Sequence, residues 1–142
     1  LVIYTDGGAR GNPGPAAIGA VVVDPSEKLG ASKEYAEAIG ETTNNVAEYK
    51  AAIFALKKAR HLLGRENAKE AEIEINSDSE LMVNQLNGKY KVKENDLKML
   101  FVDVWNLKQD FKKVTFLRVP REENKAADKL VNKLLDRQVL PF

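Results

Sequence analysis

Four acidic side chains occupy settings from which a fold could gather them. Asp6 ends the apolar run LVIYTD, just before the glycine-rich stretch GGARGNPG. Glu48 lies near the start of a long helical pattern, TTNNVAEYKAAIFALKKA. Asp78 closes the run AEIEINSD, and Asp128 sits in the last helical pattern, ENKAADKLVNKLLD. Clustering and partly burying carboxylates costs several kcal/mol unless a cation joins them. Hard divalent ions such as Mg²⁺ take such oxygen ligands, and a pair of them can run phosphoryl transfer. Brought together, these four acids would make a metal site for that chemistry.

Each acid also has a plainer reading. Glu48 falls one turn before Ala52, Ala55 and Ala59 on the same helical stripe, so its carboxylate points toward the core side; equally, a Glu in a first helical turn is favoured by the helix dipole. Asp128 shares an inward stripe with Asn124, Val131 and Leu135, whereas Lys125, Lys129 and Lys133 form the solvated face; a boundary Asp paired with a lysine is the alternative. Asp6 follows the alternation Val2, Tyr4, Asp6 and leaves its strand at the carboxyl end, where open α/β sheets place ligands. An Asp before Gly-Gly also bonds its own backbone in turns. Asp78, between Ser77 and Ser79, can cap a helix.

The elements that would position these residues follow from patterning. Residues 1–6 read as a strand, 7–15 as a turn punctuated by Gly-Asn-Pro-Gly-Pro, 17–23 as a buried strand and 32–39 as a third strand, the three forming an antiparallel meander. Thr42 to Asn45 offer cap residues for a first helix that stops at Gly64. Residues 71–76 alternate as a fourth strand, and a helix between two strands is the mark of a parallel crossover. A short helix over 79–86, a basic loop over 89–93, a helix over 96–111, a strand over 114–119 and a helix over 122–137 complete the chain. The order β-β-β-α-β-α-α-β-α predicts an α/β fold with a mixed five-stranded sheet flanked by helices.

Composition bounds the function. The 142 residues suit one domain, and 44% hydrophobic content suffices for a core. No apolar run approaches the ~20 residues that cross a bilayer, no signal peptide is visible, and the absence of cysteine excludes disulfides and thiolate metal sites. A cytoplasmic setting and a monomer are expected. The net charge of +1 gives no global nucleic-acid signature, so nucleic-acid binding must come from local basic patches. One candidate is Lys89, Lys91 and Lys93 around Tyr90, although lysines on a loop are commonly just solvated. GARGNPG lacks the Gly-Lys-Ser/Thr ending of a nucleotide-binding loop. His61, late in the first helix, reads as a surface residue.

The ordered set YTDGGARGNPGPAAIGAVV, TTNNVAEYKAAIFAL, INSDSELMVNQLNGKYKVKEND and VPREENKAADKLVN resembles the type 1 ribonuclease H family over nearly the whole chain. The resemblance implies the ribonuclease H-like fold, with residues 1–142 as a single catalytic domain. It implies an endonuclease that cuts the RNA strand of RNA–DNA hybrids with two Mg²⁺ ions, Mn²⁺ being a possible substitute, and leaves 5′-phosphate and 3′-hydroxyl ends. Asp6, Glu48, Asp78 and Asp128 match the family's metal-binding acids; Asn12, Asn44 and Glu80 match substrate-contacting positions, and Thr43 one near the pocket for a DNA phosphate. Turn and cap duties can coexist with these roles at Asn12 and Asn44. Two features mark a subtype: the basic protrusion of some relatives is absent, and Arg118 stands ten residues before Asp128, where many members carry a histidine. Arginine stays charged near neutral pH and cannot shuttle protons, but it can grip a phosphate in a bidentate fashion. A broader nuclease that also cuts double-stranded RNA, and a silent nucleic-acid-binding domain on the same fold, are the alternatives. The second would be marked by loss of an acid, and all four are present.

Overall fold

The computed structural model describes residues 1–139. Its sheet has the order β3-β2-β1-β4-β5. Strands β1 (Val2–Ala9), β2 (Gly14–Val23) and β3 (Lys33–Thr42) form the antiparallel meander, and β4 (Glu72–Ser77) and β5 (Lys113–Arg118) add in parallel beside β1. Helix α1 (Asn44–Leu63) makes the crossover from β3 to β4; α3 (Glu80–Leu86) and α4 (Asn95–Lys108) connect β4 to β5; α5 (Lys125–Val139) follows a 3-10 turn over Arg121–Glu123. No helix among the described residues is long and apolar enough to cross a membrane.

The main core lies between the sheet and α1, α3 and α4. Ile3, Ile73 and Ile75 from the strands meet Tyr49, Ala52, Leu56 and Ala59 of α1 and Leu97 and Val104 of α4, all essentially fully buried. The small residues of the α1 stripe let the helix lie close on the sheet. Among the described residues, the opposite face is covered by α5, with Val131 and Leu135 against Ala17 of β2.

Several boundaries differ from the sequence reading. β1 does not stop at Asp6. It continues through Gly7, Gly8 and Ala9, which pair with Ile18, Ala17 and Ala16, so the turn shrinks to residues 10–13 and β2 starts at Gly14. Glycines read as turn residues because they weaken strands; here close packing against α1 requires Gly7. A second short helix, α2 (Arg65–Glu70), follows Gly64 and was not expected. Only its Ala68 is buried, so RENAKE carries no apolar period to read. α4 ends at Lys108 rather than residue 111; Phe111 continues the apolar spacing but reaches the core from the turn after the helix. The last helix begins at Lys125 rather than residue 122, because Arg121–Glu123 coil into the 3-10 turn.

Candidate active site

Sheet register sets three of the chemical groups side by side. β1 and β4 are parallel with Tyr4 opposite Asn76, so Asp6 and Asp78, each two residues further on, come level at the carboxyl edge. β4 and β5 pair Ser77 with Arg118, which places Arg118 next to Asp78 along the same edge. Ser79, not Asp78, caps α3, with its hydroxyl accepting from the Met82 amide at 3.2 Å. The Asp78 carboxylate is therefore not engaged as that helix's cap.

Two glycines then bring in the helices. A Cβ on Gly7 would collide with the Ala47 carbonyl and lie 2.7 Å from the Glu48 nitrogen. Its absence lets α1 touch the strand, and the Gly7 amide donates to Glu48 Oε1 at 2.8 Å. Gly19 faces Asp6 across the β1–β2 ladder, and a Cβ there would meet the Ala127 carbonyl at 3.1 Å and the Leu130 Cβ at 3.2 Å. That bare backbone lets α5 settle on the sheet with Asp128 beside Asp6. Asn124 fastens the approach: its Nδ2 donates to the Thr5 carbonyl at 2.8 Å, and its own carbonyl accepts the Asp128 amide at 3.1 Å.

The result is a cleft of about 540 Å³ lined by Asp6, Glu48, Asp78, Asp128, Asn44, Arg10, Arg118, Arg121 and Asn132, among others. Oxygen atoms of Asp6, Glu48 and Asp78 all lie within 4.8 Å of one another. Asp6 is 7% exposed and Glu48 9%. Burial, then the charges of Asp78 and Asp128 and a hydrogen bond with Asp128, push the Asp6 carboxyl up to about 8, partly opposed by Arg121. Burial first, then Asp6 and Asp78, hold the Glu48 carboxyl well above the ordinary range, against the lowering effect of the Gly7 amide. Carboxylates this close cannot all ionise without a counter-cation. An all-oxygen, hard-donor set strained by its own charge fits divalent ions of the Mg²⁺ type and does not suit soft or thiol-seeking metals.

The plainer readings of Glu48 and Asp128 do not describe the structure. Glu48 is buried and bonded to Gly7 rather than lying free in a first turn. Asp128 accepts from Asn132 Nδ2 at 3.1 Å, and no lysine pairs with it among the described residues. The other expected residues are distributed unevenly. Thr43 is the cap of α1, its hydroxyl accepting from the Val46 amide at 3.3 Å. Asn44 is not a cap; its Oδ1 accepts from the Ala9 amide at 2.8 Å, and its amide donates to Asn12 Oδ1 at 3.0 Å. These bonds tie the β1–β2 turn to the start of α1 at the rim of the cleft. Glu80 is not among the residues that line it; its Oε1 accepts from the Tyr90 hydroxyl at 3.3 Å. Lys89, Tyr90, Lys91 and Lys93 line a separate depression of about 530 Å³ with Leu81, Gln85 and Leu97. Gln85 fixes that loop by donating to the Lys91 carbonyl and accepting from the buried Tyr49 hydroxyl. His61 is exposed, as expected.

Three cleft residues escaped the sequence reading. Arg121 is the cation whose charge reaches Asp6, and it lies seven residues before Asp128, closer in the chain than Arg118. Asn132 was legible as the residue one helical turn beyond Asp128. Arg10, in the glycine-rich turn, gave no signal of its own.

Residues 4–134 match the model of the family described as reverse transcriptase-like. LC11-RNase H1, solved in complex with an RNA/DNA hybrid, superposes with a TM-score of 0.88 at 45% identity, over 98% of this chain and 99% of that one. The chain belongs to the ribonuclease H family. A bifunctional protein of Mycobacterium tuberculosis, Rv2228c, is 45% identical over 138 residues, which make up 96% of this chain but 35% of that protein. A ribonuclease HI of Halobacterium salinarum is 41% identical over 133 residues, 94% of this chain and 63% of that enzyme. The chain thus spans about a third of the mycobacterial relative's length. The five-stranded mixed sheet expected from the sequence is that of these ribonuclease H structures.

Proposed function

We propose that residues 1–142 form one catalytic domain that hydrolyses the RNA strand of RNA–DNA hybrids, leaving 5′-phosphate and 3′-hydroxyl ends. The observation that carries this reading is the convergence of Asp6, Glu48 and Asp78 within 4.8 Å, with Asp128 lining the same cleft beside arginines. The hybrid in the LC11-RNase H1 complex supports the choice of substrate.

Asp6, Glu48, Asp78 and Asp128 hold two Mg²⁺ ions, for which Mn²⁺ can substitute. Bound there, such ions supply charge stabilisation to the entering and leaving oxygens of an in-line displacement at phosphorus. Glu48, kept in place by the Gly7 amide, presents its carboxylate from the helix side. Arg118 and Arg121 face the substrate phosphate as permanent donors and move no proton. Asn12 and Asn44, already joined across the rim, contact ribose 2′-hydroxyls, the group by which a protein tells RNA from DNA. Thr43 lies near the contact to a DNA phosphate, and Glu80 serves the substrate from outside the acidic cleft.

The test is Asp6→Asn. Turnover under Mg²⁺ should fall by about two orders of magnitude or more, ~2.7 kcal/mol on the transition-state scale, while hybrid binding in a gel-shift assay persists. Near-normal turnover would sink the assignment.

A further inference from the structure

Asp128 is carried by α5, which packs on β1, β2 and β3 from the face of the sheet opposite α1. Its carboxylate is held by a chain of side chains. Asn132, one turn along α5, donates Nδ2 to Asp128 Oδ2 at 3.1 Å. Asn132 Oδ1 accepts from Arg10 Nη2 at 3.3 Å, and the same Nη2 lies 2.8 Å from Asp136 Oδ1. Asp128, Asn132 and Asp136 thus follow one another at four-residue steps along one helical face, and Arg10 reaches across to them from the β1–β2 turn.

We propose that Asn132, oriented by Arg10, is a positioning residue for the Asp128 carboxylate. A carboxamide can turn either end toward a neighbour. Its oxygen facing Asp128 would repel the carboxylate. The Arg10 guanidinium, a donor with no acceptor atom, selects the orientation in which Oδ1 faces away and Nδ2 faces Asp128. Asp136 in turn keeps the guanidinium in place. The hydrogen bond to Oδ2 restricts rotation of the carboxylate about its Cβ–Cγ bond. Stability is not what this chain provides: the Arg10 and Asp136 side chains are 38% and 66% exposed, and such pairs contribute under about 1 kcal/mol. Its consequence is the orientation of one ligand, and it joins that ligand to the turn that carries Asn12.

The inference rests on the reading of Asp128 as a metal ligand. The experiment is calorimetric titration of the full chain with Mn²⁺, without nucleic acid, alongside thermal unfolding of the metal-free protein. Asn132→Leu, which changes no charge, should weaken Mn²⁺ binding roughly tenfold or more, the usual effect of losing a partner that orients a ligand, with the unfolding midpoint unchanged. Arg10→Met should also weaken binding. Removing a positive charge would by itself tighten the grip on a cation, so a loss there marks lost orientation. In an Asp128→Asn background, Asn132→Leu should have no further effect. Wild-type affinity in Asn132→Leu, or an equal loss in the Asp128→Asn background, would overturn the proposal. A wild-type chain that binds no Mn²⁺ would overturn the metal-site reading, and the positioning role with it.

Discussion

Asp6 is buried between two other carboxylates, and its protonation is coupled to folding. An acid whose folded pKa lies above its unfolded value binds its proton more tightly when folded. The stabilisation this gives is fully present below the unfolded value of 3.8 and is lost as pH rises through about 8. The metal-free protein should therefore lose thermal stability steadily between those limits, and Glu48, shifted the same way, adds to the slope. Asp6→Asn should flatten the decline and raise the unfolding midpoint at pH 8. Mg²⁺ should restore wild-type stability at that pH, because a cation replaces the protons. A midpoint independent of pH in the metal-free wild type would contradict the burial of interacting carboxylates. The arginines make the opposite kind of prediction. Arg118→Ala should slow single turnover about tenfold, ~1.4 kcal/mol, and Arg121→Ala should slow it as well, since both line the cleft. Neither loss should depend on pH, whereas Arg118→His should introduce a titration near the unperturbed imidazole value of ~6.5. If alanine at 118 matches wild type at every pH, Arg118 has no role in turnover.

Strands and helices meet at the site because two glycines leave room. Gly7→Ala would drive a methyl into the Ala47–Glu48 backbone and displace α1. It should cost about 1–3 kcal/mol by overpacking and abolish metal binding. Gly19→Ala needs a shift of only a few tenths of an ångström in α5. It should leave most of the stability while weakening Mn²⁺ binding through Asp128. Gly8→Ala is the control, since its Cβ would meet only ordinary contacts at 3.9 Å. Unfolding curves and Mn²⁺ titrations on the three variants check this ranking, and equal behaviour of all three would refute it. The same glycines explain where the sequence misled. Asp-Gly-Gly has the composition of a turn, yet Gly7 serves close packing within a strand, which depends on partners distant in the chain. The apolar stripe of α1 and the alternation of β4 were legible because their periods are local. Glu48 was legible as an inward carboxylate for the same reason. RENAKE was not, having one buried residue. Arg10 and Arg121 were invisible because a loop arginine acquires meaning only through what it faces.

The molecule places its acidic cleft at the carboxyl edge of β1 and β4, where α1 and α5 converge from opposite faces of the sheet, with arginines and asparagines on the rim. Its near-neutral net charge of +1 means that attraction to nucleic acid must come from the rim and the Lys89–Lys93 loop. Hybrid affinity should fall only moderately with salt, as expected for few phosphate contacts. The proposed activity of this cleft is cutting of RNA paired with DNA. It is tested most directly by incubating the chain with end-labelled RNA–DNA, RNA–RNA and DNA–DNA duplexes, in Mg²⁺ and in EDTA, and mapping the cut strand and its termini. Internal cuts should appear in the RNA strand of the hybrid alone, with 5′-phosphate ends, and none in EDTA. Cutting of the RNA–RNA duplex as well would mark the broader nuclease. Efficient cutting of DNA–DNA duplexes, or cleavage of the hybrid that persists in EDTA, would contradict it.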